Sequence, residues 1–238
     1  MSQFEGYADL EEIDWAAYRA RYANIQRMDR ILKAEGEDPN RFKVSKQADT
    51  VMLFFLFDEE ELQQLFDRLG YPYDRDLVRR TIDYYDRRTS HGSTLSFITY
   101  AGVLAGIDPP SSWDRFMAAL QSDVDDIQGG TTKEGIHMGV MSGTLDLLQR
   151  CLLGSYVTDD GVLRFAPRLL DRLDCVAFSQ RFRGTSLRVG IKDEELTVLA
   201  EAGGFRGPLR IGVGDEVHDM EPGESHVFAL AARLHSAP

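Results

Sequence analysis

Three short polar clusters carry the side chains of this 238-residue sequence that are best suited to bind a ligand. They are residues 43–49 (KVSKQAD), residues 89–96 (TSHGSTLS) and residues 129–137 (GGTTKEGIH). Each cluster precedes an apolar stretch, so each is expected at the start of a helix. Free backbone N–H groups and the helix dipole favour anions at such positions.

The first cluster offers Lys46 and Gln47 as side chains that can hydrogen-bond sugar hydroxyls. The alternative is ordinary helix-start chemistry, in which Ser45 is the N-cap, Asp49 supports the first turn and Lys46 is solvated. Composition alone leaves both interpretations open.

The second cluster contains five Ser or Thr residues in eight positions, together with Gly92. Hydroxyl groups such as those of Ser93 and Thr94 can donate to phosphate oxygens, which predicts an anion site. The alternative is a capped loop in which Ser93 or Thr94 serves only as the N-cap. The cluster is not a P-loop, because no Gly-Lys-Ser/Thr sequence follows.

In the third cluster, Thr131 and Glu134 have the spacing of a capping box. His137 is expected in the first turn of an apolar helix, either as a satisfied core residue or as part of an oxyanion site. If the apolar helices run parallel, all three clusters converge on one mouth, and His137 joins the hydroxyl groups there.

Other catalytic patterns are absent from the sequence, which has no GxSxG, HExxH, GxGxxG or CxxC motif. No metal site is expected. Two groups of carboxylates are interpreted as helix-end and turn residues: Asp123, Asp125 and Asp126, and Asp159 and Asp160. Cys151 and Cys175 match no metal spacing and are expected to be reduced thiols in a cytoplasmic protein.

The composition argues for a globular chain with a large core, since 43% of residues are hydrophobic and 10% aromatic. A net charge of -12 without a Lys/Arg stripe argues against a nucleic-acid partner. The apolar runs are too short to span a bilayer, and no signal peptide is visible at the N-terminus, so no membrane association is expected.

The first 155 residues are predicted to be helical. Asp58 is a candidate N-cap and Gly70 a candidate helix stop, with acidic residues in the first turn between them. Helices beginning near 48, 95 and 135 are apolar all round, whereas those beginning near 58, 74 and 111 are half polar. This alternation predicts an inner ring of buried helices inside an outer amphipathic ring.

Residues 156–232 are predicted to be short strands separated by Gly and Asp. The segment SLRVGIKDEELTVLAE reads as a hairpin. We therefore predict an α+β protein with a helical domain at 1–155 and a small antiparallel sheet or sandwich domain at 156–238.

In this order and spacing, KVSKQAD, TSHGSTLS and DDIQGGTTKEGIH resemble the motifs of glycoside hydrolase family 65, and RFRGTSLRV resembles the start of that family's C-terminal sheet domain. The family contains inverting disaccharide phosphorylases that act on α-glucosides such as trehalose, maltose and kojibiose. The resemblance implies the C-terminal part of an (α/α)6 toroid followed by a sheet domain. It implies no cofactor and inorganic phosphate as co-substrate.

When the family's functional residues are matched to this sequence one by one, the resemblance implies that Lys46 and Gln47 bind the glucosyl unit that is transferred. Ser93, Thr94, Gly135 and His137 become phosphate-binding residues. The partners implied are an α-linked glucose disaccharide and phosphate.

The family's catalytic acid is a glutamate in a DEY-x₅-DN-x-YTN motif, and this sequence contains no equivalent. The sequence therefore predicts the C-terminal part of a phosphorylase, or of a hydrolase, without its general acid. A phosphorylase is favoured over a hydrolase because the hydroxyl cluster and His137 are present. The expected protein partner is the missing N-terminal part of the enzyme or, by self-association, a second copy of the chain. The alternatives are a non-catalytic sugar- or phosphate-binding remnant or assembly subunit, and an unrelated interaction protein whose motifs are only helix caps.

Overall fold

The computed structural model describes residues 1–130, 132–167, 173–203 and 209–230. The chain separates into two compact units, Met1–Leu145 and Asp146–Pro238. None of the described helices is both long and apolar enough to cross a bilayer. The domain boundary expected between residues 155 and 156 stays a prediction.

The first unit is built from helices. The α-helices are α1 (Trp15–Tyr22), α2 (Met28–Ala34), α3 (Met52–Leu56), α4 (Glu59–Leu69), α5 (Arg75–Asp86), α6 (Leu95–Leu104), α7 (Pro109–Gln121) and α8 (Met138–Asp146). Short 3-10 turns occur at Tyr7–Asp9, Pro39–Arg41 and Thr132–Glu134.

Local cap chemistry sets the ends of α4. The Asp58 carboxylate accepts a hydrogen bond from the Glu61 N–H at 2.8 Å, and the Glu61 carboxylate accepts one from the Asp58 N–H at 3.0 Å. Gly70 ends the helix in the left-handed conformation, with φ of 75°. The predicted start and stop of this helix are thus confirmed.

Among the described residues, two apolar clusters pack within the first unit. The larger one gathers side chains from the N-terminal turn and from the segments around α3, α5 and α6, namely Tyr7, Ala48, Val51, Ile82, Tyr85, Tyr100 and Leu104. The smaller one lies around α2 and consists of Ile13, Ile25, Met28 and Leu32. Helix α7 also packs on α6, where the Ser112 hydroxyl donates to the Ala101 carbonyl at 2.6 Å.

The expected contrast between buried and amphipathic helices holds for α6 but not for α3 and α8. Seven of the ten residues of α6 are buried, whereas α3 has no buried residue and α8 has two. Burial needs packing partners as well as apolar composition, and α3 and α8 each have a face left uncovered by the described residues. The prediction that these two helices are buried all round is therefore wrong.

The segment 135–153, predicted as one helix, is also divided. Helix α8 begins only at Met138, directly after His137, and a π-helical segment follows at Leu147–Leu152.

The second unit contains two four-stranded sheets. Its strands are β1 (Tyr156–Val157), β2 (Leu163–Phe165), β3 (Cys175–Phe182), β4 (Thr185–Lys192), β5 (Glu195–Ala200), β6 (Leu209–Val213), β7 (Glu216–Met220) and β8 (Ser225–Ala229). One sheet has the order β1-β2-β6-β7 and the other has the order β3-β4-β5-β8.

Side chains from both sheets form one core, so the second unit is a sandwich. Phe165 and Ile211 come from the first sheet, and Leu187, Leu196 and Phe228 come from the second. The predicted hairpin is β4–β5, which pair antiparallel from Leu187↔Ala200 to Lys192↔Glu195.

One strand pair departs from the antiparallel expectation. Strands β2 and β6 run parallel, with Leu163 opposite Ile211. Strands separated by 43 residues of chain do not need a tight turn between them, so either direction is open to this pair. Every other pair in the two sheets is antiparallel.

Candidate functional site

An open cleft of about 420 Å³ in the first unit brings the three polar clusters together. It is lined by Arg27, Lys46, Gln47, Asp49, Gly92, Ser93, Thr94, Gln128 and His137. Five of the six predicted site residues are on this list. The sixth, Gly135, has a φ of 123° that favours glycine, and it is not among the lining residues.

Backbone pairing fixes the first cluster against the second. The Ser45 N–H donates to the Arg88 carbonyl, the Ser90 N–H to the Ser45 carbonyl and the Gly92 N–H to the Lys46 carbonyl, each at 2.8 Å. A Cβ atom at Gly92 would lie 2.7 Å from the Gln26 carbonyl oxygen and 2.9 Å from Lys46 Cγ. Only glycine allows the chain to pass this close to Lys46.

In the first cluster, the two predicted sugar-binding side chains are oriented by neighbouring carboxylates. The Gln47 side-chain amide donates to Asp49 Oδ1 at 3.1 Å, and the Gln3 amide donates to Asp49 Oδ2 at 3.3 Å. Lys46 Nζ lies 4.0 Å from Asp29 Oδ2, and its side chain is 51% exposed.

The expected N-cap role of Ser45 is wrong, although Lys46 is half exposed as the helix-start interpretation had it. Ser45 lies in the paired segment described above, six residues before the N-cap position of α3 at Val51. Its hydroxyl donates to Gln3 Oε1 at 3.3 Å and does not cap a helix.

In the second cluster, Ser93 and Thr94 precede α6 without capping it. Thr94 occupies the N-cap position, but its side chain makes no cap hydrogen bond. The first turn is stabilised instead by Ser96, whose hydroxyl donates to the Ser93 carbonyl at 2.7 Å. Within the described part of the chain, the Ser93 and Thr94 hydroxyls make no hydrogen bond, and both residues line the cleft, Thr94 with only 3% of its surface exposed.

His91, in the same cluster, is a core residue. Its Nδ1 lies 2.9 Å from the Ser96 hydroxyl, and its ring stacks on Phe97 with the centroids 4.6 Å apart. Burial lowers the pKa of His91 to about 3, with smaller contributions from the nearby positive charges of Arg115 and Arg19. The ring is therefore neutral at physiological pH.

In the third cluster, His137 is held by Asp123. The two carboxylate oxygens of Asp123 contact the His137 ring at Nδ1, at 2.5 Å, and its backbone N–H, at 2.8 Å. The hydrogen bond from the ring is the largest factor that lowers the pKa of Asp123. Because Nδ1 is occupied, Nε2 is the ring nitrogen left for a ligand.

The loop before His137 is organised by Asp126. Its carboxylate accepts hydrogen bonds from the Gly130 N–H at 2.7 Å and from the Thr132 hydroxyl at 3.1 Å. The capping box expected between Thr131 and Glu134 stays a prediction, because Thr131 and the Glu134 side chain lie outside the described residues. Gln128 links this loop to the second cluster through a 3.1 Å hydrogen bond to the His91 carbonyl.

Sequence reasoning missed three polar residues of this site. Asp123 was interpreted as a helix-end carboxylate, and its contact with His137, fourteen residues away, is visible only in the folded chain. Gln128 stands in the DDIQGGTTKEGIH motif but was given no role there. Arg27 stands in no recognisable motif, and only the folded chain brings it to the cleft. Among the described residues, no group of His, Cys, Asp and Glu is arranged to hold a metal ion.

Two family models match the chain. The glycosyl hydrolase family 65 central catalytic domain matches residues 1–146, and the family 65 C-terminal domain matches residues 157–220. A solved structure from the human microbiome, provisionally named kojibiose phosphorylase, shares the fold. It superimposes with a TM-score of 0.69 at 20% identity, over 96% of this chain and 30% of that one.

Curated relatives match over most of this chain but over a small part of their own length. An uncharacterized glycosyl hydrolase of Mycobacterium tuberculosis is 45% identical over 203 residues, which are 85% of this chain and 15% of the relative. The trehalose 6-phosphate phosphorylase of Lactococcus lactis is 39% identical over 203 residues, 85% of this chain and 26% of the relative. The two family models, each matching its own region, show that the chain belongs to glycoside hydrolase family 65.

Proposed function

We propose that this chain forms the phosphate- and glucosyl-binding part of an inverting α-glucoside phosphorylase. The observation that carries the proposal is the shared cleft, which is lined by Lys46, Gln47, Ser93, Thr94 and His137. Family membership and the phosphorylases among the relatives support it. In the family such a site lies inside an (α/α)6 toroid, and the proposal includes that the first unit of this chain forms part of one.

Phosphate is the nucleophile of the proposed reaction. It attacks the anomeric carbon of the glucosyl unit with inversion, the glycosidic bond breaks, and the leaving oxygen takes a proton from a general acid. The products are β-glucose 1-phosphate and the released acceptor. No cofactor or metal takes part.

Ser93, Thr94 and His137 hold the phosphate in this proposal. The two hydroxyl groups are free of other hydrogen bonds in the described structure and can donate to phosphate oxygens. When the His137 ring is protonated, Nδ1–H stays on Asp123 and Nε2–H donates to the anion. Gly135 contributes a backbone conformation that lets the chain turn toward His137.

Lys46 and Gln47 hold the glucosyl unit. The amide of Gln47 is oriented by its hydrogen bond to Asp49, which leaves the carbonyl oxygen of the side chain to accept from a sugar hydroxyl. The Lys46 ammonium is half exposed at the cleft wall and can donate to a second hydroxyl.

In this proposal, the general acid comes from a polypeptide segment that is not part of this 238-residue sequence. Asp49 is the carboxylate among the residues lining the cleft, and both of its oxygens already accept hydrogen bonds, from Gln47 and from Gln3. The missing N-terminal part of the enzyme would supply the acid, since a second copy of this chain would lack the same motif. The alternative proposal is a sugar- or phosphate-binding remnant or assembly subunit that does not catalyse.

The proposed substrate class is an α-linked glucose disaccharide. The relatives are named as phosphorylases of trehalose 6-phosphate, kojibiose, α,α-trehalose and 1,2-α-glucosylglycerol. Each of these four substrates contains an α-glucosyl unit. A cytoplasmic location is proposed with this function, since its substrates are small metabolites.

Titration of the chain with inorganic phosphate tests the binding part of the proposal. Removing both hydroxyls, in Ser93→Ala/Thr94→Ala, is expected to weaken phosphate binding by about tenfold or more, because each hydrogen bond to a charged group contributes about 1.5–3 kcal/mol. Ser142→Ala removes an exposed hydroxyl on α8 and is the matched control. Unchanged affinity in the double variant would contradict the proposal.

Release of β-glucose 1-phosphate from trehalose, kojibiose or trehalose 6-phosphate separates the two alternatives. The chain alone is expected to be inactive, and activity is expected to appear when it is mixed with the preceding segment of a family 65 relative. Turnover by the pure chain would disprove the assignment of the acid to another segment. Phosphate binding without activity in any mixture would favour the non-catalytic alternative.

A further inference from the structure

Arg27 is a cationic residue of the cleft that the motifs of the sequence do not identify. We propose that Arg27 binds a phosphoryl group there, carried by inorganic phosphate or esterified to the sugar substrate. This inference rests on the proposed function, because it concerns the same cleft, and it adds a ligand-binding residue to it.

The guanidinium of Arg27 forms a long ion pair with Asp29 and makes no hydrogen bond within the described residues. Its side chain is 22% exposed, and its Nε is buried without a hydrogen bond within the described residues. The nearest carboxylate oxygen is Asp29 Oδ1 at 3.9 Å, which is beyond hydrogen-bond distance and is itself buried without a hydrogen bond. Buried polar groups are nearly always hydrogen-bonded, so a guanidinium in this state points to an external ligand.

Asp29 stands between two cations of the cleft. It lies 3.9 Å from Arg27 Nε and 4.0 Å from Lys46 Nζ. At these distances the carboxylate attracts both side chains without occupying their N–H groups. Asp29 thus holds Arg27 and Lys46 near each other while their donors stay free for an anion.

The other charges around the cleft leave this anion position open. Asp49 also lines the cleft, but its oxygens accept from Gln47 and Gln3. The third lining group that can carry a positive charge is His137, whose Nδ1 is bound to Asp123. The chain has a net charge of -12, so the presence of both Arg27 and Lys46 in this cleft is not a result of overall composition.

A phosphoryl group fits the free donors best. The guanidinium presents parallel N–H groups in a fixed plane, which match two oxygens of a phosphate. The Ser93 and Thr94 hydroxyls in the same cleft are also donors without acceptors. The ligand implied by this donor set is an anion with several acceptor oxygens.

Binding titrations with three probes test the inference: inorganic phosphate, glucose 6-phosphate and glucose. Arg27→Gln is expected to lose about tenfold or more in affinity for at least one phosphoryl ligand and to leave glucose binding unchanged. Arg27→Lys keeps the charge but not the planar fork, and it is expected to recover part of the loss. Arg30→Gln removes an exposed arginine three residues along α2 and is the matched control.

The pattern of losses identifies the source of the phosphoryl group. A loss confined to inorganic phosphate supports binding of the co-substrate, and a loss confined to glucose 6-phosphate supports binding of a phosphorylated sugar. Unchanged affinity of Arg27→Gln for both ligands, in a variant whose circular dichroism matches that of the wild type, would overturn the inference. The proposed function is judged separately by Ser93→Ala/Thr94→Ala, so either can fail alone.

Discussion

His91 is a buried, neutral residue, although it belongs to the same sequence cluster as the cleft-lining residues Ser93 and Thr94. The residue is 8% exposed, and its ring packs against Phe97 and Tyr100 and forms a hydrogen bond with the Ser96 hydroxyl. Asp86 lies 4.0 Å from Nε2, but its carboxylate is already paired with Arg115 at 2.9 Å. His91 is therefore a neutral structural residue, whereas His137 has a nitrogen available to the ligand.

This state of His91 predicts acid sensitivity. The folded-state pKa of about 3 lies below the ordinary value of 6.5, so between these values the unfolded chain binds a proton that the folded chain does not. The His91 contribution to stability is complete above pH 6.5, and it falls by about 1.4 kcal/mol per pH unit as the pH decreases toward 3. Urea unfolding at several pH values measures this slope.

His91→Asn is the variant for this test, because asparagine tolerates the positive φ of 54° at this position. It is expected to be less stable at neutral pH, because the ring contacts are lost, but to show a shallower decrease in stability between pH 6.5 and 3. An unchanged slope would mean that other groups cause the acid sensitivity.

Asp123 is a positioning residue, and its role predicts a loss of phosphate affinity without loss of the fold. Asp123→Asn removes the charge that holds the His137 ring, so we expect several-fold weaker phosphate binding in calorimetric titrations. The lowered pKa of Asp123 has a further consequence, because its contribution to stability is present above the ordinary Asp range and is lost as the pH falls through the lowered value.

Asp125→Asn is the matched control, since Asp125 is exposed two residues further along the chain. It makes the same change in charge and should leave phosphate affinity unchanged. Equal effects of the two variants would show that overall charge, and not the orientation of His137, controls binding.

At the level of elements, the sequence predicted best the features that depend on neighbouring residues in the chain. The Asp58–Glu61 capping box and the Gly70 stop involve residues within one or two helical turns. The strands 163–165 and 209–213 were also predicted with the observed bounds, because alternating apolar residues and flanking glycines mark them.

Features that depend on distant contacts could not be predicted. The burial of α3 and α8 depends on which elements pack against them, and their apolar composition gave the wrong answer. Strand β7 was missed because four of its five residues are not buried and its sequence, EVHDM, is largely polar. Its place in the sheet comes from pairing with β6, from Leu209↔Met220 to Val213↔Glu216.

The pairing between the first and second clusters makes Gly92 a sensitive position. Gly92→Ala would push a methyl group against the Gln26 carbonyl and the Lys46 side chain. We expect a loss of about 1–3 kcal/mol in unfolding free energy, which is typical of overpacking, together with weaker binding of phosphate and sugar. Thermal or urea unfolding and the same titrations measure both effects.

Gly139→Ala provides the comparison for this prediction. Gly139 lies in α8 with no atom near the position of a new Cβ, so alanine should be neutral or stabilising by up to about 1 kcal/mol. If Gly92→Ala behaves in the same way as Gly139→Ala, the close approach of Lys46 is not a constraint on the site.

At the scale of the whole molecule, the convergence of the clusters was predictable, but the complete site was not. Polar clusters before apolar stretches suggested a common mouth, and five of the six named residues do line one cleft. Arg27, the N-cap residue of α2, also lines this cleft, although no motif surrounds it in the sequence. The sequence therefore pointed to cleft-lining residues that stand in a recognisable local pattern, whose binding roles stay a prediction, and it missed Arg27, whose only signal is its position in the folded chain.

Apolar side chains near the third cluster predict self-association. Leu120 is 43% exposed, Val124 84%, Ile136 67% and Met138 71%, and the bonds between Asp123 and His137 hold these segments together. Large apolar side chains exposed on neighbouring segments are typical of an interaction site. We expect the wild-type chain to form oligomers in sedimentation experiments as its concentration rises, and to bind an apolar dye.

The double variant Val124→Gln/Met138→Gln is expected to sediment more nearly as a monomer and to bind less dye, because polar side chains would replace the two most exposed apolar ones. The substitutions leave the net charge unchanged, so electrostatic repulsion does not complicate the comparison. Val227→Gln, at a 49% exposed position on β8 in the second unit, is the control and should associate as the wild type does. A wild-type chain that stays monomeric without excess dye binding would show that this surface needs no partner.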